Sequence, residues 1–436
     1  MDAGTIGMIA VGVMLLLMIA GVPVAISMAT SAFLGMWAIA GMDFALATFR
    51  TLPYSTTAQY TFVVAPMFIL MGALATSAGI TGELYTAAYR FLAKIRGSLY
   101  YATTVAATGF AAVSGSTVVA GAVFARIAMP EMVKYGYNVG IGAGCVAAVG
   151  TLAAMIPPSL SMVLYGILTG ESIGALLMAG VFPGLLSACL YMLGIRTMLG
   201  VKPSYAPRTV DVFTWAQKLS SLKGIWALLL LVLIVLGGIY SGLVPPSSAG
   251  TVGAMGALLI CLMRRRITGM GFWDALKEAA AITGVLFLIV IAGLLFTRML
   301  LITGLVTDLS TFVQDAKLSP FWLMAAIVVV YLILGCFIDT VSMMVMTIPF
   351  VYPLIKTAGF DPVWFGVIMI KLVEIACITP PVGLNLYAVL SAMRGKVSTT
   401  QLFVGVTPFV LIEMCSLGFL LAYPQIALWL PSLMAK

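Results

Sequence analysis

The sequence predicts an all-α integral membrane protein built from two repeats of opposite membrane topology, each with a re-entrant helical hairpin and a broken helix. Three observations predict it. Apolar residues make up 62% of the 436 residues and charged residues only 8%, whereas about a quarter of the residues in a soluble domain are charged. The two halves share motifs at a nearly constant spacing. The basic residues fall mainly in loops on one side of the predicted membrane spans.

Composition also excludes several functions. The sequence contains no histidine, so the commonest general base and metal ligand is absent. The six cysteines stand singly in apolar stretches, and no phosphate-binding glycine loop occurs. We therefore predict that the chain is not an enzyme and needs no cofactor or transition-metal ion. Its net charge of +8 lies in short loops between apolar runs, which indicates contact with a lipid bilayer and not with nucleic acid.

Apolar runs long enough for a membrane helix of about 20 residues occur at 5–20, 22–40, 61–79, 173–195, 225–243, 247–263, 281–302 and 401–423. Four further apolar stretches are interrupted by polar, glycine or proline residues, at 98–133, 139–169, 320–356 and 363–392. The only long polar connection is 200–223. It divides the chain almost in half.

Motifs recur between the halves. A shift of 223 residues places Pro157-Pro158 on Pro380-Pro381, Asn138 on Asp361, and Ser116-Thr117 on Asp339-Thr340. A shift of 222 superposes Val22-Pro23 on Val244-Pro245. An almost constant offset over such a length predicts a duplicated unit, as in many secondary transporters.

The basic residues predict the orientation. With both termini outside, the inner loops hold Arg90, Lys94, Arg96, Lys134, Arg196, Lys202, Arg208, Lys218, Lys223, Arg264, Arg265, Arg266, Arg394 and Lys396. The outer loops hold Arg50, Lys317, Lys356 and Lys436. This bias follows the positive-inside rule, and it gives the two halves opposite topology.

The chain is predicted to divide into two repeats. The first repeat, 1–199, contains helices at 5–40 and 173–196, an arm at 43–64, and a part at 65–169 that includes the hairpin 98–133. A cytoplasmic linker covers 200–223. The second repeat, 224–436, contains helices at 225–263 and 401–423 and a part at 281–392 that includes the hairpin 320–356.

Polar residues at the two hairpin tips are the first candidate site. The first tip carries Ser114, Gly115, Ser116 and Thr117, and the second carries Asp339 and Thr340. Hydroxyl and carbonyl oxygens at membrane depth can hold a desolvated Na⁺. The alternative is that small residues only let helices pack closely.

The proline pairs are the second candidate site. Pro157 and Pro158 interrupt one helix, and Thr379, Pro380, Pro381 and Gly383 interrupt its counterpart. Each pair removes two amide donors and leaves carbonyl groups free to coordinate an ion, although a purely structural kink is the alternative. Ser159, Ser161 and Asn385 flank these breaks and are weaker candidates for binding a substrate.

Charged residues inside apolar stretches are the third group. Arg298 either reaches the membrane interface or meets an anionic substrate. Lys371 and Glu374 are three residues apart on one helix, and we expect them to neutralise each other. For Arg126 and Glu413 we expect a role in helix packing.

The order and spacing of several motifs resemble one family. The run Ala65-Pro66-Met67-Phe68-Ile69-Leu70-Met71-Gly72, the Ser114-Gly115-Ser116 tip and the two Pro-Pro breaks resemble the large membrane (DctM-like) subunit of TRAP transporters, the tripartite ATP-independent periplasmic transporters. The resemblance covers essentially the whole chain.

The resemblance implies an elevator-type ion-transporter fold and a Na⁺-coupled importer of a small organic anion in the bacterial inner membrane. It implies that 5–40, 173–196, 225–263 and 401–423 are scaffold helices, and that 65–169 and 281–392 are the transport parts. It implies two partners, a small four-helix membrane subunit on a separate chain and a periplasmic substrate-binding protein. By the family's motifs, the tip and break residues named above would form the Na⁺ sites.

The main alternative is a Na⁺- or H⁺-coupled organic anion carrier of the related ion-transporter type that needs no binding protein. A channel is disfavoured by the duplicated hairpins. A membrane enzyme is disfavoured by the missing histidine, because no nucleophile has a base beside it.

Overall fold

The computed structural model describes residues 2–208, 211–266, 269–381, 383–393 and 395–434. Within these ranges every regular element is a helix, so the predicted all-α fold is confirmed. Arg394 and Lys436, two of the residues used for the orientation, lie outside the described residues.

The helices of the first half follow the predicted runs closely. A 3-10 turn at Tyr60–Val63 precedes the fourth of them. In chain order they are α1 Ala3–Ile19, α2 Val24–Ala40, α3 Met42–Thr57, α4 Val64–Ser77, α5 Ile80–Leu92, α6 Ser98–Ser114, α7 Thr117–Lys134, α8 Val139–Gly150, α9 Leu152–Met155, α10 Leu160–Thr169, α11 Ile173–Ala179 and α12 Val181–Val201.

The connection and the second half continue the series. The connection holds a 3-10 turn at Pro203–Tyr205, and a π turn at Leu233–Gly237 interrupts the next apolar run. The helices are α13 Trp215–Leu222, α14 Trp226–Val232, α15 Gly238–Tyr240, α16 Pro246–Met263, α17 Gly269–Thr303, α18 Leu305–Asp315, α19 Pro320–Gly335, α20 Thr340–Thr357, α21 Pro362–Ile378, α22 Leu384–Met393, α23 Thr399–Ala422 and α24 Gln425–Met434.

Among the described residues, 6 helical segments are long and apolar enough to cross a membrane, or 8 if each of two bent pairs counts as one span. One bent pair is α8–α9 with α10, at 42°. The predicted hairpin segments 98–133 and 320–356 each form two helices joined by a short turn, α6–α7 and α19–α20.

Side-chain caps explain where the two broken helices begin. The Asn138 side chain accepts a hydrogen bond from the Ile141 amide at 3.0 Å. Its repeat counterpart Asp361 accepts from the Val363 and Trp364 amides at 2.8 and 2.9 Å. Asn and Asp stabilise helix N-termini in this way because they satisfy amides that have no partner within the helix. The repeat thus preserves the start of α8 and of α21.

Four helices were not predicted: α5, α13, α18 and α24. The first and third are amphipathic, and each begins after a glycine with positive φ, Gly79 at 73° and Gly304 at 72°. They are too short for a span, so a search for apolar runs passes over them. Helix α17 also begins 12 residues earlier than the predicted run 281–302.

The helices pack as two groups. In the first group α2 packs along α17, and α4 packs along α16 and α17. In the second group α7 packs on α8 and α22, and α8 packs along α23. Gly144 and Gly405 let the α8 and α23 backbones touch, since a Cβ atom on either glycine would collide with the opposite backbone.

The linker 200–223 is docked on the first half. The Tyr205 carbonyl accepts hydrogen bonds from the Asn138 amide and the Tyr100 hydroxyl, each at 3.0 Å. The Arg96 guanidinium donates to the Ala206 carbonyl at 3.1 Å. Arg96, one of the basic residues assigned to the inner loops, therefore also contacts the linker.

One acidic linker side chain makes a second set of contacts. The Asp211 carboxylate accepts hydrogen bonds from the hydroxyl groups of Tyr89, at 2.7 Å, and of Tyr135. These two bonds, that from Tyr135 first, hold the pKa of Asp211 below its usual value. The linker is thus attached to both α5 and the end of α7.

Candidate functional site

The first hairpin tip lies against the first helix break. Gly115 has a φ of +61°, and its carbonyl accepts a hydrogen bond from the Leu160 amide at 3.4 Å. A Cβ atom on Gly115 would lie 3.0 Å from the Pro158 carbonyl oxygen. Both the backbone conformation and the close approach require glycine at this point.

The remaining residues of the first tip are largely buried. The Ser114 hydroxyl donates to the Ser116 carbonyl at 3.3 Å, and a Cβ atom on Gly72 of α4 would lie 2.9 Å from the Ser114 carbonyl oxygen. Ser114, Ser116 and Glu278 of α17 line a small cavity. Glu278, an exposed acidic residue on a different helix, therefore borders the same cavity as the tip serines.

The second tip also lies against its own break. The Cys336 sulfur lies 3.7 Å from the Pro380 carbonyl oxygen and 3.3 Å from that of Leu332, and the Thr340 hydroxyl lies 3.0 Å from the Cys377 sulfur. The Asp339 carboxylate caps α20 by accepting from the Ser342 amide at 3.0 Å. Asp339 and Thr340 are only partly buried.

The two tips also meet each other. Thr117 and Thr340, which are repeat counterparts, both lie close to the Cys377 thiol. The arm α7 packs on α22, and the counterpart arm α20 packs on α10. The structure thus brings the two tips and the two breaks together at one level of the fold.

The break residues keep oxygen atoms available. The Thr379 hydroxyl donates to the Ile375 carbonyl at 2.6 Å, and the Thr379 carbonyl accepts from the Gly383 amide at 3.3 Å. The Pro157-Pro158 and Pro380-Pro381 peptide bonds are both cis. Each oxygen still has lone pairs that can coordinate a cation.

The weaker candidates differ in their surroundings. Ser159 accepts from the Met162 amide at 3.2 Å and donates to the Ala154 carbonyl, so it caps α10. Ser161 is buried. The buried Asn385 donates to the Ala147 carbonyl at 3.3 Å, and its Oδ1 atom has no hydrogen-bond partner. Arg298 is an exposed side chain of α17, and no described contact joins it to the tips.

A buried ion cluster lies beside these elements. The Lys371 ammonium contacts Glu374, the Glu413 carboxylate at 2.8 Å and the Ser187 hydroxyl at 2.8 Å. All three charged side chains are fully buried. The predicted Lys371–Glu374 pair is confirmed, and Glu413 of α23 does more than pack helices, because it is the second anion of the cluster.

Three residues of the site were not predicted from the sequence. Cys336 and Cys377 were read only as small apolar residues, although they precede Asp339 and Thr379 by three and two positions. Their nearness to the tip and break motifs was the available signal. Glu278 precedes the predicted span on α17, and only the cavity that it lines with Ser114 and Ser116 places it at the site.

The fold and the paired tips and breaks define a class of protein, the multi-pass membrane transporters. Two solved transporters share the fold: the Alcanivorax borkumensis YdaH transporter, with a TM-score of 0.58 and 14% identity over 89% of this chain and 90% of that one, and Neisseria gonorrhoeae MtrF, described among antimetabolite efflux pumps, with a TM-score of 0.61 and 13% identity over 91% and 85%.

The chain belongs to the DctM family, the DctM component of the tripartite ATP-independent periplasmic transporters, whose family profile matches residues 11–426. It is similar to the C4-dicarboxylate TRAP transporter large permease protein DctM of Pseudomonas aeruginosa, with 34% identity over 87% of this chain and 88% of that one. It also resembles the sialic acid large permease protein SiaM of Vibrio cholerae, with 31% identity over 86% and 87%. The chain is therefore a transporter permease subunit and not an enzyme.

Proposed function

We propose that the chain is the membrane subunit of a Na⁺-coupled secondary importer of a small organic anion. The contact of each hairpin tip with its own helix break carries this proposal, because it places hydroxyl, carbonyl and carboxylate oxygens together in an otherwise apolar interior. Oxygen-rich breaks of this kind coordinate Na⁺ in secondary transporters.

Two Na⁺ sites follow from this arrangement. The first would use the oxygens of Ser114, Gly115, Ser116 and Thr117 with the Pro157-Pro158 break. The second would use Asp339 and Thr340 with the break formed by Thr379, Pro380, Pro381 and Gly383. Among the residues proposed as Na⁺ ligands, Asp339 of the second site is the one carboxylate, and it would offset the charge of the ion.

Small organic anions are the proposed substrates. Relatives are named for C4-dicarboxylates, sialic acid, 2,3-diketo-L-gulonate and isethionate. We propose that Ser161 and Asn385, which flank the two breaks, contact the substrate. Ser159 is the weaker choice, since capping of α10 occupies its hydroxyl. Arg298 would meet the anion only at an outer entrance, because it is exposed on α17.

We propose an elevator mechanism in which the division between fixed and moving parts follows the packing. Helices α4 and α17 pack with α2 and α16 and would belong to the scaffold. Helices α12 and α23 would move with the hairpins, because the buried cluster joins Ser187 and Glu413 to Lys371 of α21. Separating such a cluster would leave unpaired charges in an apolar interior. The sequence-based assignment placed these four helices the other way round.

The proposed partners are a small four-helix membrane subunit and a periplasmic substrate-binding protein. The isethionate permease protein DctMQ of Oleidesulfovibrio alaskensis supports the first, because this chain covers 65% of that protein and leaves room there for another subunit. The proposed location is the bacterial inner membrane with both termini periplasmic, in accord with the loop charges.

Uptake in proteoliposomes tests this function. The complete complex with its binding protein should accumulate an organic anion only when an inward Na⁺ gradient is imposed. Equal uptake driven by ATP, or by a proton gradient without Na⁺, would contradict Na⁺ coupling. Full uptake without the binding protein would favour the binding-protein-independent carrier.

A further inference from the structure

A second polar cavity begins beside the first tip and runs along the groove between α7 and α22. Its volume is about 870 Å³. It is lined by Val118, Arg126 and Val133 of α7, Ala388 and Ser391 of α22, and Lys396 beyond the end of α22. We call this cavity the α7–α22 groove.

The groove extends from the tips to one surface of the molecule. One end is at Val118, which directly follows Thr117 of the first tip, and the other is at Val133, next to the last residue of α7. At a rise of about 1.5 Å per residue, these two positions lie about 22 Å apart along the helix. In the proposed orientation the end at Val133 opens to the cytoplasm.

The charge of the groove is positive. Arg126 and Lys396 are the charged residues of its lining, both are exposed, and neither takes part in an ion pair among the described residues. The nearest carboxylate along α7 from Arg126 is Glu131, which pairs with Lys134 at 3.7 Å. A charged side chain halfway along a helix of an apolar hairpin is costly unless it faces water or an anion. The α7–α22 groove offers Arg126 a cavity large enough for water or an anion.

We infer that the α7–α22 groove is a second anion site, which holds the carboxylate or sulfonate of the transported substrate between its departure from the tips and its release into the cytoplasm. The Arg126 guanidinium and the Lys396 ammonium bind the anionic group, and the exposed Ser391 hydroxyl adds a donor. The volume of the groove exceeds that of a small organic acid, so the site is transient and hydrated. This inference rests on the proposed function and orientation, whereas the positive potential of the groove does not.

Cysteine modification measures that potential without any transport. Ser391→Cys, in a variant whose exposed Cys189 and Cys415 are replaced by alanine, is modified in inside-out vesicles with an anionic and a cationic methanethiosulfonate. After correction for intrinsic reactivity, the anionic reagent should react about tenfold faster, because a positive cleft concentrates anions. The preference should vanish in Arg126→Gln/Lys396→Gln and persist in Lys134→Gln. Equal rates for both reagents would overturn the anion site.

Substrate exchange in proteoliposomes then tests the passage of the transported anion. The cytoplasmic KM should rise about threefold in Arg126→Gln or Lys396→Gln and about tenfold in the double variant. The KM at the outer face, the Na⁺ dependence and the Lys134→Gln control should stay unchanged, and Arg126→Lys should retain the wild-type KM.

The outcomes separate this inference from the proposed function. An unchanged cytoplasmic KM in the double variant, or an equal rise at both faces, would overturn the inference alone. A wild-type complex that takes up no organic anion with Na⁺ would remove the proposed function, and the inferred substrate passage with it, whatever the labelling showed.

Discussion

The two hairpin tips share a position in the fold and differ in their chemistry. The first tip is mostly buried, carries no charge, and approaches its break through the Gly115 backbone. The second tip is only partly buried, carries Asp339, and approaches its break through the side chains of Cys336 and Thr340. Both halves therefore have a contact between tip and break, while the groups that make the contact differ.

The broken helices differ in the same way. A shift of 223 residues places Ala148 of α8, and Thr151 just after it, on Lys371 and Glu374 of α21. In the first half the Ala148 carbonyl accepts from the Tyr191 hydroxyl at 3.2 Å, whereas in the second half the same level holds three buried charges. The second half therefore depends on electrostatic pairing where the first depends on neutral contacts.

The largest expected effect is the loss of the buried cation. Lys371→Met leaves two fully buried carboxylates without their partner, which should cost about 3–5 kcal/mol. We expect the variant to accumulate poorly and to unfold at a much lower temperature in a thermal-shift assay. Lys134→Gln, which breaks an exposed pair, should cost less than about 1 kcal/mol. Similar melting temperatures for both variants would mean that the second half does not depend on the cluster.

The next effect compares the tips directly. Asp339→Ala and Ser116→Ala should each reduce Na⁺-driven uptake by about a hundredfold while the protein still assembles, because a desolvated ion loses a ligand that water does not replace. Asp339→Asn keeps a helix cap but removes the charge, so it should raise the Na⁺ concentration for half-maximal uptake more than Ser116→Ala does. Wild-type uptake by both alanine variants, at matched expression, would show that the tips serve only packing.

A smaller effect should separate two glycines of positive φ. Gly115→Ala forces a Cβ atom toward the Pro158 carbonyl at 3.0 Å, and uptake should fall about tenfold as the tip shifts. Gly136 has a similar φ of +72° but open space around it. Gly136→Ala should therefore cost only about 1 kcal/mol of backbone strain and leave uptake unchanged. If the two variants transport equally, the close approach at the first tip is dispensable.

The smallest effect concerns the linker, which contacts the first half. Hydrogen bonds from Tyr135 and Tyr89 lower the pKa of Asp211. The stabilisation that Asp211 gives to the docked linker is therefore complete above the unfolded pKa of about 3.9, and it is lost as the pH falls through the lower pKa of the folded protein. Asp211→Asn should speed hydrogen exchange in α13 at neutral pH, with less than a twofold change in uptake. Unchanged exchange would mean that the other linker contacts suffice.

Local patterns predicted much of this structure. The proline pairs marked both breaks, and the small polar residues marked both tips, because these residues act on the backbone where they stand. The Lys371–Glu374 pair was also predictable, since residues three apart share a helix face. Glu413, Glu278 and the linker contacts were not, because each joins helices far apart in the sequence.

The grouping of the apolar helices was also hard to predict from the sequence. Apolar spans look alike whichever group of helices they pack in. The packing of α23 along α8 depends on Gly144 and Gly405, and no motif marks these two glycines as a pair.

The level of the first tip can be given relative to helix α17. Its 35 residues extend about 52 Å, well beyond the roughly 30 Å hydrocarbon layer, and Glu278 is its last charged residue before the apolar run. Since Ser114 and Ser116 share a cavity with Glu278, the first tip lies level with the charged end of the apolar run of α17. Under the proposed elevator mechanism, with α17 fixed, this level would be the cytoplasm-facing end of the stroke, and each step to the next α17 residue would correspond to about 1.5 Å of travel toward the opposite face.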